Sequence, residues 1–195
     1  MPDMIIDGTG SGGYPAKIGS DNRLWVRAIA ESQQHTIAHD NQEAFQVIGT
    51  TALSSGTVTA LHIKNGSVDK DVVITYLRHQ IVDAAGGTAF PNASNYFTLG
   101  FNRTYSTGGT LAVPVNTNSG SVTTSQATVY EGNPTLSGTA KELDRWYTKA
   151  DGDMNTFNKD GALILRPNQT MELSYVGDHT SGLLYTRLSY VLVSN

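Results

Sequence analysis

Short apolar segments separated by turn residues run through the sequence from residue 50 onward, and they constrain the fold more than any other feature. Segments such as 71–79 and 96–103 carry β-branched and aromatic residues, which are typical of strands. The final segment, 183–193, has apolar residues at both odd and even positions and is predicted to be a central strand. About eight to ten such strands predict an all-β fold, an antiparallel β-sandwich of jelly-roll-like form.

Three local features complete this prediction. Segments 58–64 and 71–79 flank the turn pair Asn65-Gly66, which predicts a hairpin. In that hairpin, His62 and His79 are expected to face each other across the two strands. Residues 138–149 have apolar side chains at a spacing compatible with one short helix.

The composition is neutral, polar and rich in turn residues. Gly, Ser, Thr and Asn together supply 72 of the 195 residues, and only 15% are charged, against about 25% in an average domain. The net charge of −4 argues against nucleic acid as a partner, because binding to its backbone needs a basic surface. The absence of cysteine excludes disulfides, thiolate zinc sites and cysteine nucleophiles.

The first residues differ in character from the rest. Residues 1–22 contain glycine and proline in place of a regular apolar pattern, so they are not expected to form a regular element by themselves. We therefore predict an extended N-terminal arm and attachment segment over residues 1–47 and a β-sandwich domain over residues 48–195. No window has the apolar length of a secretory signal or a membrane helix, and no membrane partner is expected.

Motifs for metal or cofactor binding fail in this sequence. His35 and His39 are four residues apart, but Thr36 stands where a metalloprotease has its glutamate. The segment Asp151–Asp160 begins like a calcium loop but lacks the glycine and glutamate of an EF-hand. A looser cation site in that loop stays open as an alternative, and we expect no bound metal and no cofactor.

Catalytic motifs fail as well. No Gly-x-Ser-x-Gly motif follows a strand, and no spacing rule pairs the carboxylates that a glycosidase would need, among them Glu131, Glu142, Asp144 and Glu172. The sequence is therefore interpreted as that of a non-enzymatic protein. The alternative is a carbohydrate-binding or receptor-binding module, in which aromatic residues stack on sugar rings; Tyr96, Tyr105, Trp146 and Tyr147 are the candidates.

One segment carries a more specific signal. Residues 16–47 contain Ala16-Lys17, a polar turn, the run Asn22-Arg23-Leu24-Trp25-Val26 and a later Ala44-Phe45. This order resembles the beginning of small virion structural proteins of tailed bacteriophages.

The resemblance implies a protein that decorates or cements the outer surface of a phage capsid. It further implies a location in the virion after synthesis in the host cytoplasm. The implied partners are the major capsid protein or other virion subunits, together with further copies of the chain in a homotrimer. A tail or fibre protein that binds carbohydrate or a receptor is the alternative. Tryptophan and arginine are the residues most enriched at binding hot spots, and the candidate partner-binding residues are Arg23, Leu24, Trp25 and Arg27.

Overall fold

The computed structural model describes residues 17–18, 24–25, 37–38, 41–157 and 163–194. The chain divides into two compact units, Met1–Ser32 and Gln33–Asn195. The described residues of the first unit form two short strands, β1 (Lys17–Ile18) and β2 (Leu24–Trp25), which pair antiparallel. The remainder of the predicted arm over residues 1–22 lies outside the described residues.

The described residues of the second unit form fourteen strands. They are β3 (Ala44–Ala52), β4 (Gly56–Asn65), β5 (Lys70–Ala85), β6 (Tyr96–Phe101), β7 (Thr104–Thr107), β8 (Thr110–Ala112), β9 (Val115–Asn116), β10 (Ala127–Glu131), β11 (Thr135–Ser137), β12 (Lys141–Tyr147), β13 (Met154–Phe157), β14 (Leu163–Leu165), β15 (Thr170–Gly177) and β16 (Ser181–Ser194).

These strands form two large sheets, and every pairing within them is antiparallel. The sheet that we call the β4 sheet has the order β12-β6-β15-β4-β10-β8, and the β16 sheet has the order β13-β5-β16-β3-β9, with β14 also paired to β5. Their inner faces share one core, which includes Phe97, Leu173 and Tyr175 from the first sheet and Phe45 and Tyr190 from the second. The predicted all-β antiparallel sandwich is confirmed, whereas the jelly-roll form stays a prediction.

The last long strand, β16, is central, as its sequence predicts. It lies between β5 and β3 and buries Leu184, Leu188 and Tyr190 in the core. A central strand with apolar residues on both faces is expected to have both faces covered. Over the first half of β16 the opposite face is instead open, because Leu183 is 36% and Tyr185 41% exposed. Apolar residues on both faces of β16 therefore do not mean that both faces are covered.

The predicted hairpin between residues 58–64 and 71–79 is wrong. Strand β4 pairs with β10 and β15, while β5 pairs with β13, β14 and β16. The turn at Asn65 therefore carries the chain from one sheet to the other. The Asn65 amide fixes this crossing by donating to the carbonyl oxygens of Lys70 and Leu165, each at 2.8 Å.

The predicted helix over residues 138–149 is also wrong, because β12 occupies this segment and pairs with β6. Side chains that alternate between the two faces of a strand explain why this segment is not a helix. Trp146 packs against the core, while its neighbour Tyr147 is 56% exposed. Pairing with β6 satisfies the hydrogen-bonding groups of the backbone and places Trp146 opposite Phe97.

The predicted boundary between residues 47 and 48 falls inside β3. Within the described part of the chain, helices that could span a membrane are absent.

Candidate functional site

A row of polar residues crosses the outward face of the β4 sheet. The strand register places His62 of β4 between Tyr130 of β10 and Glu172 of β15. Since successive side chains of a strand point to opposite faces, the flanking Leu61 and Ile63 enter the core while His62 points outward. His62 is nevertheless only 1% exposed and Glu172 only 3%, so other residues cover this face.

The cover is built around Arg103, which precedes β7 in the small β7-β11 sheet. The carbonyl oxygen of Arg103 accepts hydrogen bonds from His62 Nε2 at 3.1 Å and from Thr170 Oγ1 at 2.7 Å. Its guanidinium donates to the Leu136 carbonyl at 3.1 Å and approaches Glu172 Oε1 at 3.5 Å. A buried polar cluster of His62, Arg103 and Glu172 therefore lies beneath β7 and β11.

The protonation states in this cluster follow from burial and from the hydrogen bonds. Burial lowers the pKa of His62 below 6.5, and the positive charges of Arg103 and Lys64 lower it further, against the hydrogen bond to the Arg103 carbonyl. Because Nε2 must donate to that carbonyl, the neutral ring leaves Nδ1 as an acceptor. Burial raises the pKa of Glu172, and Arg103 opposes this shift.

Three buried polar atoms of the cluster have no hydrogen-bond partner among the described residues. They are His62 Nδ1, Arg103 Nε and Glu172 Oε2. A buried polar atom without a partner is costly in a folded protein. Such atoms point to a water molecule or a ligand group that completes the arrangement.

An open cavity of about 270 Å³ adjoins this cluster. Its wall includes a pair of stacked tyrosines, Tyr105 of β7 and Tyr130 of β10, whose ring centroids are 3.7 Å apart at an interplanar angle of 4°. Tyr105 is 38% exposed, so its ring is accessible at the mouth of the cavity. The cavity is lined by His62, Lys64, Thr104, Tyr105, Thr128, Tyr130 and Thr170. We call it the tyrosine cavity.

The predicted partner-binding residues are described only in part. Leu24 and Trp25 form β2, which pairs with β1, whereas Arg23 and Arg27 lie outside the described residues. Their predicted role in binding a partner stays a prediction.

The structure describes only part of the candidate metal ligands. His35, His39 and Asp160 lie outside the described residues, and β13 occupies part of the segment that was predicted to be a loop. The Asp151 carboxylate accepts a hydrogen bond from the backbone N–H of Ala84 at 3.4 Å. Within the described ranges, no group of three or more His, Cys, Asp or Glu residues is placed to hold a metal ion.

His62 and His79 do not face each other, because they belong to different sheets. His62 lies on the outward side of the β4 sheet. His79 is 1% exposed in the core, where its ring contacts Phe97 and Trp146. Their cross-strand pairing was therefore a wrong prediction.

The carboxylates considered for glycoside hydrolysis have separate partners. Glu142 forms an exposed ion pair with Arg145, with oxygen–nitrogen distances of 2.9 and 2.7 Å. The hydrogen bond from Arg145 lowers the pKa of Glu142. Glu131 accepts from the backbone N–H of Thr50, and Glu172 belongs to the buried cluster. The absence of a catalytic centre stays a prediction.

The sequence identified Tyr105 as a candidate sugar-stacking residue but gave no signal for Lys64, Arg103, Thr128 or Tyr130. These residues come from β4, β10 and the segment before β7, which the fold alone brings together. Along β4, the polar residues His62 and Lys64 alternate with the apolar residues Leu61 and Ile63. This pattern is the signal that could have indicated a polar outward surface on β4.

No protein-family model matches the chain, and no curated protein matches it in sequence.

Proposed function

We propose that the protein is a non-enzymatic structural component of a tailed-phage virion, where it decorates or cements the capsid by binding its outer surface. The resemblance of residues 16–47 to such virion proteins supports the proposal. The exposed outward face of the β16 sheet is the observation that carries it.

This outward face combines basic and apolar side chains on a rigid support. The register aligns Arg187 of β16 with Arg78 of β5 and Ile48 of β3, and Tyr185 lies two residues from Arg187 along the strand. Ile48 is 66% exposed and Tyr185 41% exposed. We call these four residues the basic face. Tyrosine and arginine are enriched at protein–protein interfaces, and a repeated lattice adds avidity to each contact.

The charge of the basic face indicates the kind of surface that it fits. The chain carries −4 overall, yet the centre of this face presents two adjacent arginines. An acidic area on the capsid lattice would complement it. The major capsid protein is the proposed partner, the assembly is a homotrimer, and residues 1–47 contribute the attachment segment with Arg23, Leu24, Trp25 and Arg27.

Cosedimentation with phage capsids that lack the protein tests the basic face. The double variant Tyr185→Ala and Arg187→Ala is expected to lose at least about tenfold in apparent affinity, a size typical of hot-spot residues. Tyr147→Ala, which removes an exposed tyrosine from the other sheet, is the matched control and should bind as the wild type does. Equal binding by the double variant would refute attachment through this face.

A second pair of measurements tests the arm and the assembly. A chain lacking residues 1–22 is expected to keep its β-type circular-dichroism spectrum and to bind capsids more weakly. Sedimentation equilibrium of the full chain is expected to give the mass of a trimer. Unchanged capsid affinity of the truncated chain would exclude the arm from attachment, and a monomer on the particle would exclude the trimer.

A second candidate function has its own supporting observation. The tyrosine cavity combines an accessible ring of Tyr105 with hydroxyl groups from three threonines. This combination suits a carbohydrate-binding or receptor-binding module of a tail or fibre. Binding of oligosaccharides to the full chain, abolished by Tyr105→Ala, is the test of this function.

A further inference from the structure

We propose that the tyrosine cavity binds a pyranose saccharide that carries a carboxylate, with the sugar ring on Tyr105 and the carboxylate at Lys64. This inference rests on the second candidate function and names its ligand class. It is independent of capsid attachment through the basic face, which belongs to the other sheet.

The stacked tyrosines provide the platform for the ring. One face of Tyr105 is covered by Tyr130 at 3.7 Å, which holds the ring in place, and Tyr105 remains 38% exposed. A fixed aromatic ring offers large contact area with little loss of conformational entropy on binding. The carbon–hydrogen face of a pyranose ring can therefore lie against Tyr105 while its hydroxyl groups point toward the polar wall.

The polar wall consists of two parallel rows. Tyr130 and His62 are neighbours in the first row, and the register places Thr128, Lys64 and Thr170 in a second row. Glu172, the next residue of the first row, is buried beside Arg103 and does not line the cavity. Thr128, Lys64 and Thr170 all line the cavity. Donors and acceptors thus stand at the spacing of neighbouring strands, about 5 Å apart.

His62 contributes a buried acceptor beside this wall. The residue is 1% exposed, it lines the cavity, and Nδ1 has no partner among the described residues. Because Nε2–H donates to the Arg103 carbonyl, Nδ1 is fixed as an acceptor. A hydroxyl group of water or of a ligand that enters beside the ring would satisfy an atom that the folded chain leaves unpaired.

The charge of the lining selects an acidic ligand. Lys64 is exposed on the lining, it has no acidic partner within the described ranges, and the lining contains no carboxylate. An ammonium group at the mouth of a cavity attracts a ligand carboxylate and repels a cation. The volume of about 270 Å³ lies just below the roughly 300–1,000 Å³ of drug-sized pockets, which suits a single ring. A second cavity of about 170 Å³ shares Thr170 and includes Lys141, so a neighbouring sugar unit can extend toward a second ammonium group.

Isothermal titration of the full chain with uronic acid trisaccharides tests the proposal. The probes are galacturonate, glucuronate and mannuronate trisaccharides, each beside its methyl ester, which keeps the ring and removes the charge. At least one acid is expected to bind, and its ester at least about fivefold more weakly. Lys64→Gln, an exposed substitution, should reduce the affinity for the acid to that for the ester.

Tyr105→Ala should weaken binding of the acid at least about tenfold, whereas Met154→Ala, at an exposed apolar residue of the β16 sheet, should leave it unchanged. Circular dichroism verifies that each variant is folded. Esters that bind as tightly as the acids would overturn the inference and leave the carbohydrate-binding function standing. Binding that survives Tyr105→Ala would overturn the inference by placing the site elsewhere. No binding of any probe would overturn the inference, while binding of neutral oligosaccharides, abolished by Tyr105→Ala, would then keep the second candidate function.

Discussion

Trp146 donates its indole Nε1–H to Nε2 of His79 at 2.9 Å, and this hydrogen bond joins the two sheets through the core. Trp146 lies on β12 at the edge of the β4 sheet, while His79 lies on β5 of the β16 sheet. Because Nε2 accepts, the ring is neutral and carries its proton on Nδ1, an atom without a partner among the described residues. Burial lowers the pKa of His79 to about 3.

The first prediction is a loss of stability in mild acid that depends on His79. The unfolded chain protonates His79 near pH 6.5, whereas the folded chain resists protonation down to about pH 3. The free energy of unfolding should therefore fall as the pH drops below 6.5, by up to about 1.4 kcal/mol per pH unit from this residue. His62, whose pKa burial also lowers, contributes in the same direction.

Urea unfolding at pH 7, 6, 5 and 4 measures this dependence. His79→Gln keeps an acceptor for Trp146 and removes the titrating ring, so its stability should vary less with pH than that of the wild type. Arg78→Gln, at the outward-facing neighbour on β5, is the matched control and should keep the wild-type slope. Parallel slopes for the wild type and His79→Gln would contradict the assignment.

The second prediction concerns the crossing between the sheets at Asn65. The fully buried Asn65 donates twice, to the carbonyls of Lys70 and Leu165, and its Oδ1 accepts from the backbone N–H of Ser67 at 2.9 Å. Asn65→Asp removes both donors and turns a carboxylate toward two carbonyl oxygens. We expect a loss of about 3 kcal/mol or more at pH 7.

The loss should be smaller at pH 4, where a protonated aspartic acid can donate one hydrogen bond. Asn118→Asp is the matched control, because Asn118 uses only its side-chain oxygen, which accepts from Gly120 at 3.2 Å. This control should change the free energy of unfolding by less than about 0.5 kcal/mol. Equal effects at the two positions, measured by chemical denaturation, would contradict the role of the Asn65 amide.

Asn65 also shows how far the sequence predicts this fold. The pair Asn65-Gly66 correctly marks the end of a strand, because local hydrogen bonding by asparagine depends on the residue itself. Which strands the turn connects is decided by long-range contacts, here the bond to Leu165, one hundred residues away. Strand positions and the central place of β16 were therefore predictable, whereas the pairing partner of β4 was not.

The third prediction concerns a buried polar network at the opposite end of β15. The Tyr175 hydroxyl donates to Asn95 Oδ1 at 2.7 Å and lies 2.9 Å from His179 Nδ1. Burial raises the pKa of Tyr175 to about 12. Tyr175→Phe would leave the buried His179 Nδ1 without its hydrogen-bond partner. It would also remove one of the two donors to Asn95 Oδ1, which keeps the bond from the backbone N–H of Asp178 at 3.0 Å. We therefore expect a loss of about 1–3 kcal/mol in urea unfolding.

Tyr185→Phe is the matched control for this network. Tyr185 is 41% exposed, so its hydroxyl can form hydrogen bonds with water, and its removal leaves no buried group without a partner. Its free energy of unfolding should stay within about 0.5 kcal/mol of the wild type. If the two variants were equally stable, the hydroxyl of Tyr175 would have no structural role.

The candidate site was less accessible to sequence reasoning than the strands. Tyr105 could be predicted as a candidate because exposed aromatic rings can stack on sugar rings. Its partner Tyr130 lies on β10, and Lys64 lies on β4, so their approach depends on sheet order and register. Arg103 gave no signal, since its two roles, covering His62 and approaching Glu172, arise only when the β7-β11 sheet lies over the β4 sheet.

The last prediction concerns the close packing at Gly177, which adjoins the Tyr175 network. A Cβ atom at this position would lie 2.0 Å from the Tyr175 hydroxyl and 2.1 Å from Asn95 Oδ1, so even alanine must displace the network. We expect Gly177→Ala to lower the free energy of unfolding by at least about 2 kcal/mol through overpacking. At Gly120 the nearest atom to an added Cβ is 3.7 Å away, and Gly120→Ala should leave stability unchanged or raise it by up to about 1 kcal/mol. Urea unfolding under identical conditions measures the free energy of unfolding of the two variants. Equal values would contradict the prediction, because they would mean that the network at Tyr175 accommodates an added methyl group without loss of stability.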